Sequence, residues 1–152
     1  MFTDSDMVLR WAYATHGNRA IRTQTKQGNL EVTDFRKKTD MKIIDWKELD
    51  ITETPHKVDV RKLYDYDNAQ VMHIALKPGE TLKPHITPVD VFFYILEGKV
   101  DVRVGDETLT IGSDKLVESP KDIVHCLSNS SSGVARIMVV KAPRPTSSTR
   151  VL

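Results

Sequence analysis

The chain has 152 residues, 39% hydrophobic and 28% charged, and its 22 basic and 21 acidic side chains leave a formal net charge of +1. That length suits one domain around one core, and the balanced charge offers no overall field to gather nucleic acid or a membrane surface. No apolar run is long enough to span a bilayer and the start lacks the pattern of a secretory signal. The single cysteine, Cys126, excludes an intrachain disulfide, so a reducing, cytoplasmic setting is expected.

In chain order, residues 1–40 are polar and weakly patterned. Val8, Leu9, Trp11 and Ala12 suggest a short helix that Thr15 and His16 interrupt, and LEVTDF suggests a short strand. The segment reads either as an arm or as a leader ahead of Met41. The leader is preferred, and it predicts weak order before Lys42. Residues 41–143 read as strands and turns. HKVDVRKLYD and KVDVRVGDETLTI alternate apolar with polar. AQVMHIALKPG, VFFYILEG, KLVESP, DIVHCLS and ARIMVVKAP are short β-branched or aromatic runs. Turn formers separate them, among them Pro78-Gly79, Glu97-Gly98, Gly105-Asp106 and Ser131-Ser132-Gly133. Strands at this spacing, without long helical patterns, predict an all-β sandwich or barrel. The tail, residues 144–152, is Pro- and Ser-rich, and reads as a strap over the surface or a loose end.

Alternation sorts the side chains. On the run from 91 to 96, Val91, Phe93 and Ile95 share one face and Phe92, Tyr94 and Leu96 the other. Both faces are apolar, so both should be covered, one by the barrel interior and the other by a second sheet, the N-terminal arm or another subunit, with a homodimer the simplest source. His125 shares a face with Ile123 and Leu127, while Cys126 points away with Val124 and reads as a small apolar filler.

At this point the residues resemble the cupins, a superfamily of small double-stranded β-helix or jelly-roll barrels. Its first motif reads G, five residues, H-x-H, three or four residues, E, six residues, G. Here five residues separate Gly79 from His85, Thr87 stands where the second histidine would be, and Val91, seven before Gly98, where the glutamate would be. The second motif reads G, five residues, P-x-G, two residues, H, three residues, N. Here Pro120, His125 and Asn129 keep its spacing, Asp122 replaces its inner glycine, and Gly112 lies two residues further from Pro120 than the pattern asks. The resemblance covers residues 41–143 and implies a barrel with a metal site. Of that site's three imidazoles and one carboxylate, His85 and His125 stand at matching positions.

Chemistry therefore predicts a reduced centre. A divalent transition metal (Zn, Ni, Mn, Fe or Cu) would be held weakly or not at all by His85 and His125 alone. His73, Asp90 and Glu118 are secondary ligand candidates, although Asp90 needs an irregular strand start to face the site. A lone histidine in an apolar run, as His73 is, is more often a core residue hydrogen-bonded to a neighbour. His16 and His56 fall outside both motifs and read as surface residues. The reduced centre would sit in an apolar pocket for a small organic molecule, with Val91, Phe93, Ile95, Ile123 and Leu127 as walls and Thr87 as a hydrogen-bonding group. Two further readings stay open: a metal-dependent isomerase, decarboxylase or dioxygenase with a completed ligand shell, and a non-catalytic module that dimerises or binds a partner. Metal-free acid–base chemistry by a histidine, as in some cupin-fold sugar epimerases, is a separate possibility. No phosphate-binding glycine loop is present. If the Phe92 face is a dimer interface, Phe92→Asp buries an unpaired charge there at a cost of several kcal/mol. Size-exclusion chromatography should then show monomer, and an unchanged dimer would reject the assignment.

Overall fold

The computed structural model describes residues 21–24, 30–33 and 41–152. The chain divides into two compact units, Met1–Ile43 and Ile44–Leu152. In the first, β1 (Ile21–Gln24) pairs antiparallel with β2 (Leu30–Thr33), so that Ile21 faces Thr33. β2 falls within the LEVTDF segment expected to be a strand. The helix expected around residues 8–12, residue His16 and the order of the residues ahead of β1 lie outside the described residues.

The second unit is built from ten strands and a 3-10 turn at Trp46–Glu48. The strands are β3 (Asp59–Tyr66), β4 (Ala69–Leu76), β5 (His85–Ile86), β6 (Val91–Glu97), β7 (Lys99–Val104), β8 (Glu107–Gly112), β9 (Leu116–Ser119), β10 (Val124–Ser128), β11 (Ala135–Lys141) and β12 (Arg150–Val151). They form two five-stranded sheets, ordered β12-β5-β10-β7-β8 and β3-β4-β11-β6-β9. Every pairing is antiparallel. This is the all-β barrel expected from the strand spacing, in the double-stranded β-helix form that the cupin resemblance implies.

Alternation builds the core. Val91, Phe93 and Ile95 of β6 are at most 4% exposed, whereas Phe92, Tyr94 and Leu96 on the other face are half-buried. β11 runs beside β6 with Val139 opposite Phe93 and Ile137 opposite Ile95. Ile74 and Leu76 of β4, Val100 and Val102 of β7 and Leu127 of β10 belong to the same cluster. Burying each such side chain contributes about 1.5–3 kcal/mol.

The tail is no loose end. Arg150 and Val151 pair with Ile86 and His85 of β5, which extends the barrel past the boundary expected at residue 143. Arg144 is tied to Asp65 of β3 at 2.6 Å, which fixes where the tail leaves β11. Gly98 makes the turn from β6 to β7 with φ +77°, and a Cβ there would lie 2.7 Å from the carbonyl oxygen of Val134. Strained backbone and steric overlap therefore coincide at one position. Gly98→Ala should lower stability by about 2 kcal/mol or more in urea denaturation, and a loss below measurement error would show that the turn relaxes freely.

Candidate functional site

His85 on β5 and His125 on β10 are direct cross-strand partners. Opposed residues in an antiparallel pair project to the same face, so register alone brings the two rings together. Their Nε2 atoms lie 3.0 Å apart, with the rings edge-to-face. His85 Nδ1 lies 2.8 Å from the carbonyl oxygen of Lys83, and His125 Nδ1 lies 2.8 Å from Ser119 Oγ. A carbonyl only accepts, so His85 Nδ1 carries a proton and, in the neutral ring, its Nε2 holds the lone pair. His125 Nε2–H then donates to His85, and Ser119 Oγ–H donates to His125 Nδ1. The result is a directed chain from Ser119 through both rings to the backbone. Thr87 Oγ1 stands 3.4 Å from His125 Nε2, a long contact on the same side.

His85 borders a cavity of about 170 Å³ between the sheets. Its walls are largely apolar and include Met72, Ile74, Phe93, Leu127 and Val139. Polar groups enter from His56, from Lys141 at the end of β11 and from Thr149 of the tail. Burial governs the protonation of these groups. His125 is pushed down to about 3, first by burial and then by the neighbouring charges of His85, Lys141 and His56. Burial, followed by His85, Lys83 and Lys141, takes His56 to about 4. Burial also lowers His85, against the raising effect of its bond to Lys83, and lowers the Lys141 amine.

The expected residues divide between the two faces of the sheets. Phe93 and Leu127 line the cavity. Val91, Ile95 and Thr87 are buried inward but stand behind its wall. Ile123 does not belong to the pocket, being 40% exposed. Its neighbour Asp122 has φ +63°, and β10 begins only at Val124, so the alternation that should have carried Ile123 inward does not reach it. Asp122 thus takes the left-handed backbone that suits the glycine of the second motif, which aspartate tolerates better than most residues. Asn129, the last residue of that motif, donates to the carbonyls of Leu76 and Gly133 and accepts from Ser131, so it pins a turn.

None of the three secondary ligand candidates reaches the centre. Met72 and Ile74 line the cavity, so His73 between them projects from the opposite face of β4. There it stacks on Trp46 with ring centroids 4.1 Å apart and accepts from Arg136 Nε–H at 3.1 Å. Asp90 is exposed and accepts the Lys121 amide at 2.9 Å. Glu118 is exposed on β9 opposite Phe92, on the outer face of the sheet. Among the described residues no group of three or more His, Cys, Asp or Glu side chains is placed to hold a metal. Cys126 points away from the centre, as expected, and its thiol donates to the Leu82 carbonyl.

His56 is no plain surface residue: it is half-buried, its ring centroid lies 4.7 Å from that of His85, and it accepts the Lys83 amide at Nδ1. It arrives from a loop, where no periodicity marks its direction. Ser119 and Lys141 were legible in principle. Glu118 outward implies Ser119 inward, and Lys141 continues the buried series Ala135, Ile137, Val139.

The cupin-domain family model matches residues 72–141. A protein of known crystal structure from Thermus thermophilus is 33% identical, over 69% of this chain and 100% of that one, with a TM-score of 0.60. The chain belongs to the cupins. An uncharacterised protein of Methanocaldococcus jannaschii is 29% identical over 57% of this cupin and 75% of its own length. The tetracenomycin polyketide synthase protein TcmJ of Streptomyces glaucescens is 32% identical over 48% of this cupin, which spans about half of TcmJ (52%). The polyketide cyclase RemF of Streptomyces resistomycificus shares the fold at 20% identity and a TM-score of 0.64, over 74% of this chain and 86% of that one.

Ser119→Ala would leave His125 Nδ1 buried without a donor, at about 1–3 kcal/mol. Urea denaturation should show that loss, and an unchanged midpoint would mean that the hydroxyl is dispensable. His56, His73 and His125 sit near 4, 4 and 3, below the ordinary 6.5, so the unfolded chain takes up these protons first. Their neutral forms support the fold fully above about pH 6.5, and that stability is lost as pH falls from there towards 4. The metal-free protein should therefore melt at a lower temperature at about pH 5 than at about pH 7.5. An equal or higher melting temperature at the lower pH would contradict these burial effects.

Proposed function

We propose that this cupin binds a small organic molecule in its barrel, beside a reduced two-histidine centre that takes a divalent transition metal weakly. One observation carries the reading: two Nε2 atoms 3.0 Å apart, with His85 lining an apolar cavity and His125 buried directly behind it, each ring held by an oxygen on Nδ1. Imidazoles that bind metals commonly donate their other ring N–H to an oxygen, as His85 does to Lys83; His125 does so to Ser119 when its proton sits on Nδ1 and the hydroxyl accepts. The residues fit a two-nitrogen donor set and nothing richer, which is the reason for weak binding. When bound, the metal would polarise a carbonyl or hydroxyl oxygen as a Lewis acid. The protein's own part is to orient the rings through Lys83 and Ser119 and to keep water from the apolar walls. The likeness to TcmJ, a tetracenomycin polyketide synthase protein, directs the ligand search towards polyketide-like compounds. The cavity volume limits them to about one ring, since a cavity of about 150 Å³ accepts benzene.

The direct bond between the two rings favours a second reading, acid–base chemistry without metal. His85 and His125 share one proton between their Nε2 atoms, and Ser119 and Lys83 hold the ends of the chain. A neutral imidazole pair of this kind can accept or return a proton at a bound ligand.

Metal content measured by mass spectrometry, with His85→Ala and His125→Ala beside the parent, separates the readings. Binding of Mn, Fe, Ni, Cu or Zn that is weak in the parent and lost in both variants is the expected outcome. Metal retained in both variants would remove the histidines from the site. No uptake of any of the five ions would overturn the metal reading and leave the acid–base pair.

A further inference from the structure

Lys141 is the feature of the cavity that the two-histidine reading leaves unused. It ends β11, opposite Val91 on one side and Gln70 on the other, and faces inward with Ile137 and Val139. Among the described residues that line the cavity it is the only lysine or arginine, and no aspartate or glutamate is among them. Nor does Lys141 form an ion pair among the described residues. A cation set against apolar walls without a counter-charge is a costly arrangement for the protein alone, and an anionic ligand resolves it.

Two further observations point the same way. Thr54 borders the same cavity, and its hydroxyl is buried without a hydrogen-bond partner among the described residues. Lys141 and Thr149 also border a second, more open hollow of about 370 Å³, lined by Gln70 and tail residues such as Pro145 and Ser147. Lys141 thus borders both a polar hollow and the apolar interior.

Resting on the small-molecule reading of the barrel, we propose that the ligand is a small carboxylate with a one-ring or branched hydrocarbon body. Lys141 holds the carboxylate, and Ile74, Phe93 and Leu127 enclose the body. A charge-assisted hydrogen bond of this kind is worth about tenfold or more in affinity.

The test uses the full chain, freed of metal by prior chelation and dialysis, with benzoate and benzyl alcohol as probes of one shape and different charge. Calorimetric titration near neutral pH should show benzoate binding about tenfold or more tightly than benzyl alcohol. Lys141→Met should erase that preference while benzyl alcohol still binds, and Lys141→Arg should keep it. Equal binding of the two probes by the parent, or a preference that survives in Lys141→Met, overturns the carboxylate assignment and leaves the pocket standing. Binding of neither probe overturns both. Should Lys141→Met fail to fold, lysine side-chain NMR of the parent decides. Benzoate, and not benzyl alcohol, should shift the Lys141 signal, and identical responses to the two probes overturn the assignment.

Discussion

The pairing of His85 with His125 across β5 and β10 is the contact on which the rest of the centre depends. β5 is only two residues long, yet it is held on both sides, by β10 and by β12. Because side chains alternate, a slip of one residue would turn His85 out of the barrel and bring Ile86 inward. Tying the tail to β5 is thus part of building the site. The same tail supplies Thr149 and Val151 to the cavity wall.

Burial sets the chemistry of what the register brings together. His56, His85, His125 and Lys141 all face low-dielectric surroundings, and each is moved towards its neutral form. The rings are therefore neutral hydrogen-bonding groups, each with one donor and one acceptor nitrogen. That is why a single proton order runs from Ser119 to Lys83. It is also why the centre can exchange a proton with a ligand, would offer two lone pairs to a metal only with the His125 proton moved to Nδ1 and Ser119 accepting it, and cannot balance a negative charge without Lys141. Outside the barrel wall, the same physics disposes of His73 differently. Trp46 covers it and Arg136 donates to it, so its neutral ring is a packing element.

The barrel was legible from turn spacing and strand alternation, because both are local. Val91, Phe93 and Ile95 point inward as their period requires, and the alternation around Cys126 turned its thiol away from His125. Alternation failed where the strand did: Asp122 takes a left-handed backbone, and Ile123 leaves the pattern with it. It was also silent for His56, which reaches the cavity from a loop.

The amino-acid order by itself determined the strands, their inward faces and the two histidines at motif positions, since each follows from period-two geometry and from residue spacing. Only the tertiary structure decided which side chains meet. It paired β5 with β10 and joined the tail to β5. It also brought His56 and Lys141 to one cavity from distant segments, set Ser119 behind His125, and put His73, Asp90 and Glu118 on other surfaces. The physical reason is that these contacts come from sheet order and loop closure, which join residues far apart in the chain and leave no periodic trace in it.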